Sequence, residues 1–397
     1  MWVSVNGQNS VEIDDSVIKR ILNLYPEEKL INRKIFQQAF SAGSITFKNL
    51  KEESEKILIP WQMFFLSTTN LNQTINHIET QRQHKVSKKI VAKRKGQGKI
   101  TPKRIVDRLI RQQNYLVSTG IFPSNSFCGS LKYESIKSAA DKILDHFDID
   151  RDWMWRDRGK EATLEALIKK VGNKNINVSQ GTLAHKILPN TRVVPSSVYK
   201  NTSGFAIKDD HVPFIFLPSE TNQDEVASRQ IYTLFYLLTI IGLDQYEFIL
   251  EPNFTIKITG TTIKEVRLHL ITSELLIPRS ETEKIRGTKV TESRRDELAN
   301  KFKVSPTALL VTLRRRGVIS SSEFDSLKPK PIKLKNTGHP RTPKVSTSVS
   351  KFCGLKSFET INLGIKGGTL PNTQAQHLIW GAPQKKGFLK YRSELSL

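Results

Sequence analysis

The chain has 397 residues, 38% of them hydrophobic and 25% charged, and its 62 Lys and Arg outnumber 38 Asp and Glu for a net charge of +24. Length and hydrophobic content suit two or three soluble globular domains and exclude a fibrous or wholly disordered chain, while the positive field favours polyanionic partners such as DNA or RNA. Two cysteines, Cys128 and Cys353, with no C-x-x-C pair exclude a disulfide framework and a zinc finger and fit a reducing cytoplasm, and the opening residues carry no charged-then-apolar leader.

Residues 10–66 read as a small helical module. Ser16–Leu24 and Lys29–Phe40 place apolar residues at helical spacing, Pro26 opens a new element and Gly43 stops one. Thr46-Phe-Lys-Asn-Leu-Lys-Glu-Glu-Ser-Glu-Lys-Ile-Leu-Ile-Pro-Trp-Gln-Met-Phe-Phe65 resembles the P-T-x-x-Q-L-E-x-x-A-x-x-x-x-V-P-F-G-Y-L-F segment of ImmA/IrrE proteins that carry an amino-terminal helix-turn-helix. The likeness lies in hydrophobic pattern and in the Pro60-Trp61 and Phe64-Phe65 aromatics. On that resemblance the helix near Ile31–Phe40 would enter a major groove, with Asn32, Arg33, Gln37 and Gln38 as candidate readers of base edges and phosphates. The same four residues also fit the solvated face of a packing domain, and both readings stay open.

Between 82 and 111 lie Arg82, Lys85, Lys88, Lys89, Lys93, Arg94, Lys95, Lys99, Lys103, Arg104, Arg108 and Arg111, opposed by Asp107 alone. The middle, Lys93–Lys99, has two glycines and no hydrophobic period and reads as a loop or arm. Lys88, Lys89, Lys93, Arg94, Lys95 and Lys99 are therefore candidate phosphate contacts, a sequence-independent grip with strong salt dependence. A solvated loop would have the same composition. Val106–Val117 reads as an amphipathic helix, and 136–148 and 160–171 as two more, with Trp153 and Trp155 as packing anchors or stacking partners for bases.

Arg192–Val198, Gly204–Lys208 and Val212–Leu217 are β-branched or aromatic runs between turn residues and read as strands. The helix predicted over 223–243 is apolar nearly all round and should be central, with the helix over 261–277 beside it on the sheet. Its apolar run, Ile231–Leu243, is bounded by Arg229 and Asp244 and falls short of the ~20 residues of a membrane span.

Residues 204–243 resemble the core of the ImmA/IrrE zinc metallopeptidases, a strand pair followed by the metal-binding helix. Where that helix reads approximately F-T-L-A-H-E-L-G-H, this chain has Tyr232-Thr-Leu-Phe-Tyr-Leu-Leu-Thr-Ile240. In H-E-x-x-H, histidines four apart share a helix face and chelate Zn²⁺, and the glutamate takes a proton from the zinc-bound water. Tyr236, Leu237 and Ile240 do neither. Thr272-Ser-Glu-Leu-Leu-Ile-Pro278 matches the family's A-A-E-L-L-M-P end, and counting back puts Glu265 on the third ligand position as a vestige. A catalytic zinc needs about three protein ligands and a water, so no catalytic residue, metal or cofactor is expected. The alternative is a metal held by Glu265, His269 four residues on, and a ligand from elsewhere; otherwise both are ordinary helix-surface groups.

Glu292–Ser305 and Pro306–Gly317 read as helix, tight turn, helix, with Ser305 as N-cap, Pro306 at the first helical position and Gly317 as stop. Taken alone, this pair could pass for a DNA reader with Arg314, Arg315 and Arg316 near phosphate. It resembles the family's L-A-x-x-F-x-V-S-x-x-A-L-x-x-R-L-x-x-L-G segment, which is a structural part of the peptidase domain. Residues 328–350, rich in Lys, Pro, Ser and Thr, read as a poorly ordered basic connector, and Gly368–Gly381 resembles the G-x-I-S-x-x-E-A-A-x-L-L-G tail of longer members.

The expected architecture is α+β: a helix-turn-helix-like module at 1–70, a basic arm and linker helix at 71–130, a zincin-like domain with a small sheet and long helices at 131–327, the connector at 328–350 and a helical C-terminal extension at 351–397. The resemblance implies a catalytically silent regulatory protein that binds DNA, a partner protein such as a repressor or toxin, or both, in a mobile-element or defence locus. Two alternatives remain. One is an active zinc endopeptidase with non-standard ligands, and the other is a non-specific basic nucleic-acid binder.

Overall fold

The computed structural model describes residues 1–5, 7–24, 30–57, 59–85, 103–156, 159–181, 204–218, 226–246, 263–329, 344–381 and 384–396. They form a mixed α+β fold, mostly helical, with two three-stranded sheets.

The N-terminal module is not all helical. Strand β1 (Trp2–Val5) pairs antiparallel with β2 (Gln8–Glu12), and Gly7 in the tight connection sits at φ 80. Helices α1 (Asp15–Leu22) and α2 (Lys34–Ala42) follow, the second ending at Gly43 with φ 68; β3 (Ser44–Thr46) then runs parallel to β1, so the sheet order is β2-β1-β3. Asp14 caps α1 by accepting a 2.8 Å hydrogen bond from the Ser16 amide, satisfying one of the unpaired amides of the first turn. Helix α3 (Phe47–Lys56), a 3-10 turn over Trp61–Phe65 and α4 (Thr68–Lys85) complete the module, whose own core includes Val3, Ile18, Phe36, Leu50 and Phe64.

Helix α5 (Lys103–Ser118) leads into α6 (Ile136–His146), α7 (Arg151–Trp155) and α8 (Lys160–Asn173). The second sheet holds β4 (Asn177–Gln180), β5 (Phe205–Ile207) and β6 (Phe214–Leu217) in the order β4-β6-β5, with β6 parallel to β4 and antiparallel to β5. Two of the three expected strands are present, β4 was not anticipated, and 192–198 lies outside the described residues. Helices α9 (Val226–Leu243) and α10 (Ile263–Leu276) follow, then α11 (Arg279–Ile285), α12 (Glu292–Lys301), α13 (Pro306–Arg315) and α14 (Ser321–Ser326). The turn between α12 and α13 is built as expected: the Ser305 side chain accepts from the Ala308 amide, Pro306 opens α13, and Gly317 takes φ 65.

Side-chain alternation makes the second sheet a partition. Ala206, Ile215 and Leu217 face the core that contains α9 and α10. Phe205, Ile207, Phe214 and Phe216 face a second core with α5 and the C-terminal helices, the period-two geometry of a strand buried on both sides. Those helices are α15 (Val345–Cys353), α16 (Leu355–Lys366), α17 (Asn372–Trp380) and α18 (Lys385–Leu395). Helix α15 begins inside the stretch expected as a connector, and the C-terminal region is a structural layer rather than an appendage. Burying a side chain the size of Phe or Ile contributes roughly 1.5–3 kcal/mol, so covering Phe205, Ile207, Phe214 and Phe216 gives this layer and α5 a share in holding the sheet. Among the described residues no helix is long and apolar enough to cross a membrane.

Candidate functional site

The helix pair that carries the metallopeptidase resemblance is filled with side chains. Tyr236 and Ile240, one turn apart on α9, are each 1% exposed. From α10, His269 enters beside them at 5% exposure, its ring centroid 4.9 Å from that of Tyr236, with a 2.9 Å hydrogen bond between Nδ1 and the Tyr232 hydroxyl. His269 is thus not a helix-surface group. Burial, reinforced by the nearby Arg315 charge, pushes its imidazole down to about 4, so it is neutral at pH 7. Burial also drives both phenols well above their ordinary value.

These donors do not fit zinc. A single neutral imidazole, engaged by a tyrosine, stands between two phenols that stay protonated, whereas a catalytic zinc takes about three nitrogen, sulfur or carboxylate ligands. Among the described residues no group of three or more His, Cys, Asp and Glu is placed to hold a metal ion. Glu265 lies one turn before His269 on α10 and is half-buried.

The basic residues divide into structural and surface groups. Arg108 is buried, donating to the carbonyls of Ile379 at 3.3 Å and Trp380 at 2.8 Å and lying over the Phe352 ring. It neutralises carbonyls that α17 leaves unpaired at its C-terminus. Lys85 donates to Gln113 and Asn114, both at 2.9 Å, and pairs with Asp209. Arg316 donates to the Ile277 carbonyl at 2.6 Å and pairs with Glu274 at 3.0 Å, while Arg314 lies over Phe324. The α12–α13 pair is thus a packed corner, with Arg315 exposed. Lys88, Lys89, Lys93, Arg94, Lys95 and Lys99 lie outside the described residues.

On the N-terminal module, Asn32, Arg33, Gln37 and Gln38 are all exposed. Arg33 precedes α2 as its N-cap residue and is paired with Glu53, which also holds Lys56. A shallow depression of about 490 Å³ beside this pair is lined by Arg33, Lys34, Ile35, Gln38 and Glu53. Glu53, buried and paired with both Arg33 and Lys56, is itself part of that lining, so the cations there are already partly neutralised.

A larger concavity lies between the N-terminal module and the C-terminal layer. It measures about 980 Å³ and is lined by Lys51 of α3, Trp61 and Gln62 of the 3-10 turn, Arg111 of α5, Asn372, Thr373, Gln374, Gln376 and His377 of α17, and Lys385, Phe388, Leu389 and Arg392 of α18. Four of these side chains are Lys or Arg, one is His, and none is a carboxylate. His377 is held below its usual value first by burial and then by the Arg111 charge, so it stays neutral at pH 7. Trp61 is fixed edge-to-face against Phe47 at 5.2 Å and Phe65 at 5.9 Å.

No protein-family model matches the chain, and no curated protein or solved structure does. Function therefore rests on geometry.

Arg111 was legible as part of the basic tract, but the rest of the cleft was not. Lys385 and Arg392 belong to a basic run in the last helix that sequence reading alone could have singled out. What pairs them with Lys51 and Trp61 is the meeting of two modules more than three hundred residues apart in sequence.

Proposed function

We propose that this protein binds nucleic acid and acts as a regulatory, non-hydrolytic factor that keeps an ImmA/IrrE-like scaffold as a binding platform. The observation that carries this reading is the cleft of about 980 Å³ whose lining holds Lys51, Arg111, Lys385 and Arg392 and no carboxylate. Cations converging on a concave surface raise the local potential and concentrate a polyanion there, since low-dielectric walls focus the field. The net charge of +24 extends that attraction over the molecule. The packed Tyr232, Tyr236 and His269 cluster supports the non-hydrolytic half of the reading, because its one buried imidazole is already bonded to the Tyr232 hydroxyl where a zinc would need about three ligands.

The test is a titration of the full-length protein with a random-sequence DNA pool across a series of KCl concentrations. Neutralising about four phosphates predicts a slope of log K against log salt of roughly −3 or steeper. Failure of any nucleic acid to bind at about 50 mM salt would remove the reading.

A further inference from the structure

We infer that the cleft between the N-terminal module and the C-terminal layer takes a single strand of nucleic acid, its phosphates following α17 and α18 and a base meeting Trp61. The inference rests on the nucleic-acid reading and narrows it from polyanion to strand.

Three features argue for a strand over a duplex. The site is two-walled, with Lys51 and Trp61 on one side and His377, Lys385 and Arg392 on the other, and Arg111 contributed by α5. At about 980 Å³ it is the size of a ligand pocket, with room for a few nucleotides but not for a segment of double helix. Duplex readers instead present a protruding helix or ribbon to a groove. Finally, the chemistry is mixed. On α18 Lys385, Leu389 and Arg392 stand at i, i+4 and i+7 and share one face, and Leu389 is 58% exposed. A cation, an apolar surface and a second cation along one ridge, opposite a rigidly held indole, match the alternation of phosphate and base along an unpaired strand. A free oligophosphate would use the cations and leave Trp61 and Leu389 without a role.

The experiment measures full-length protein against a labelled oligothymidylate, a random-sequence duplex and inorganic tripolyphosphate by fluorescence anisotropy. Variants are Lys385→Glu with Arg392→Glu, then Trp61→Ala. A charge-matched control reverses the exposed residues Lys289 and Lys328, which do not line the cleft. The oligothymidylate should bind tighter than the duplex. The cleft double variant should lose at least thirtyfold in affinity with a salt slope shallower by roughly 1.4, Trp61→Ala should lose about tenfold, and the control should lose under threefold. Circular dichroism and thermal melting confirm that each variant folds, and Lys385→Gln with Arg392→Gln supplies a milder test should the reversal unfold α18. Duplex binding that the oligothymidylate cannot displace, or equal losses in cleft and control variants, overturns the strand assignment and leaves the nucleic-acid reading standing. Tripolyphosphate competing as well as the oligothymidylate, with Trp61→Ala unchanged, overturns it in favour of a phosphate site. Absence of binding to both nucleic acids removes the broader reading and the inference together.

Discussion

His269 carries a consequence for acid stability. Its imidazole is held at about 4 in the folded chain by burial, whereas an unfolded histidine titrates near 6.5. Above pH 6.5 the group is neutral in both states and contributes no pH dependence. As pH falls from about 6.5 to about 4 the unfolded chain takes up a proton that the folded chain refuses, so stability drops, and below about 4 the loss is complete. The full effect is on the order of 3 kcal/mol. Replacing His269→Asn keeps a polar atom near the Tyr232 hydroxyl and removes the titration. Urea midpoints at pH 7, 6 and 5 should therefore fall less steeply for the variant than for the native chain, and parallel slopes would refute the assignment. On the metallopeptidase resemblance, Tyr236, Leu237 and Ile240 stand where two histidines and a glutamate are expected, and residue identity alone says that none of the three supplies an imidazole or a carboxylate. That His269 fills the space beside them was not readable, since a helical period places a residue on a face without saying what that face meets.

At the level of elements, the junction between α15 and α16 depends on one glycine and one asparagine. Gly354 sits at φ 77, and a Cβ there would lie 2.6 Å from Asn177 Oδ1 and 2.7 Å from the Val178 carbonyl. The buried Asn177 uses its amide to bind both helices to β4, donating to the Cys353 carbonyl at 2.6 Å and accepting from the Ser357 amide at 3.3 Å. Gly354→Ala therefore combines a left-handed backbone strain with a clash against backbone, and should cost about 2–4 kcal/mol in chemical denaturation. A loss below 0.5 kcal/mol would show that the junction relaxes freely. Elements with strong internal signals were legible, among them α9 from its unbroken apolar run and α13 from Ser305, Pro306 and Gly317. The N-terminal sheet was missed although Asn6-Gly7 between two short runs is a hairpin signature. Strand β4 was missed because Asn177 and Ser179 look like turn residues, yet both are fully buried and serve as hydrogen-bonding partners for α15 and α16.

Across the whole molecule, the partitioning sheet ties together segments distant in sequence. A chain ended after residue 343 would lack α15 to α18 and uncover Phe205, Ile207, Phe214 and Phe216 on one face of the sheet. Such an exposed apolar surface promotes association. The truncated protein should therefore be insoluble or should bind a hydrophobic dye strongly, and a soluble fragment with an unchanged melting transition would refute the layer's structural role. Domain order along the chain had suggested a helical extension at 351–397 set apart by a linker, since composition between 328 and 350 looks like one. Only the alternation of β5 and β6 between two cores reveals that the tail is the other half of a sandwich.

That arrangement also sets a timing problem during synthesis. Roughly 130 residues separate the end of β6 from the start of α15, so at ordinary elongation rates the aromatic side of the hairpin leaves the ribosome on the order of 6 to 25 seconds before its cover is made. For that interval the nascent polypeptide displays a sticky strand pair with α5 made and the four C-terminal helices still missing from its cover, which makes a chaperone at the exit tunnel, or slow translation at low temperature, a determinant of yield.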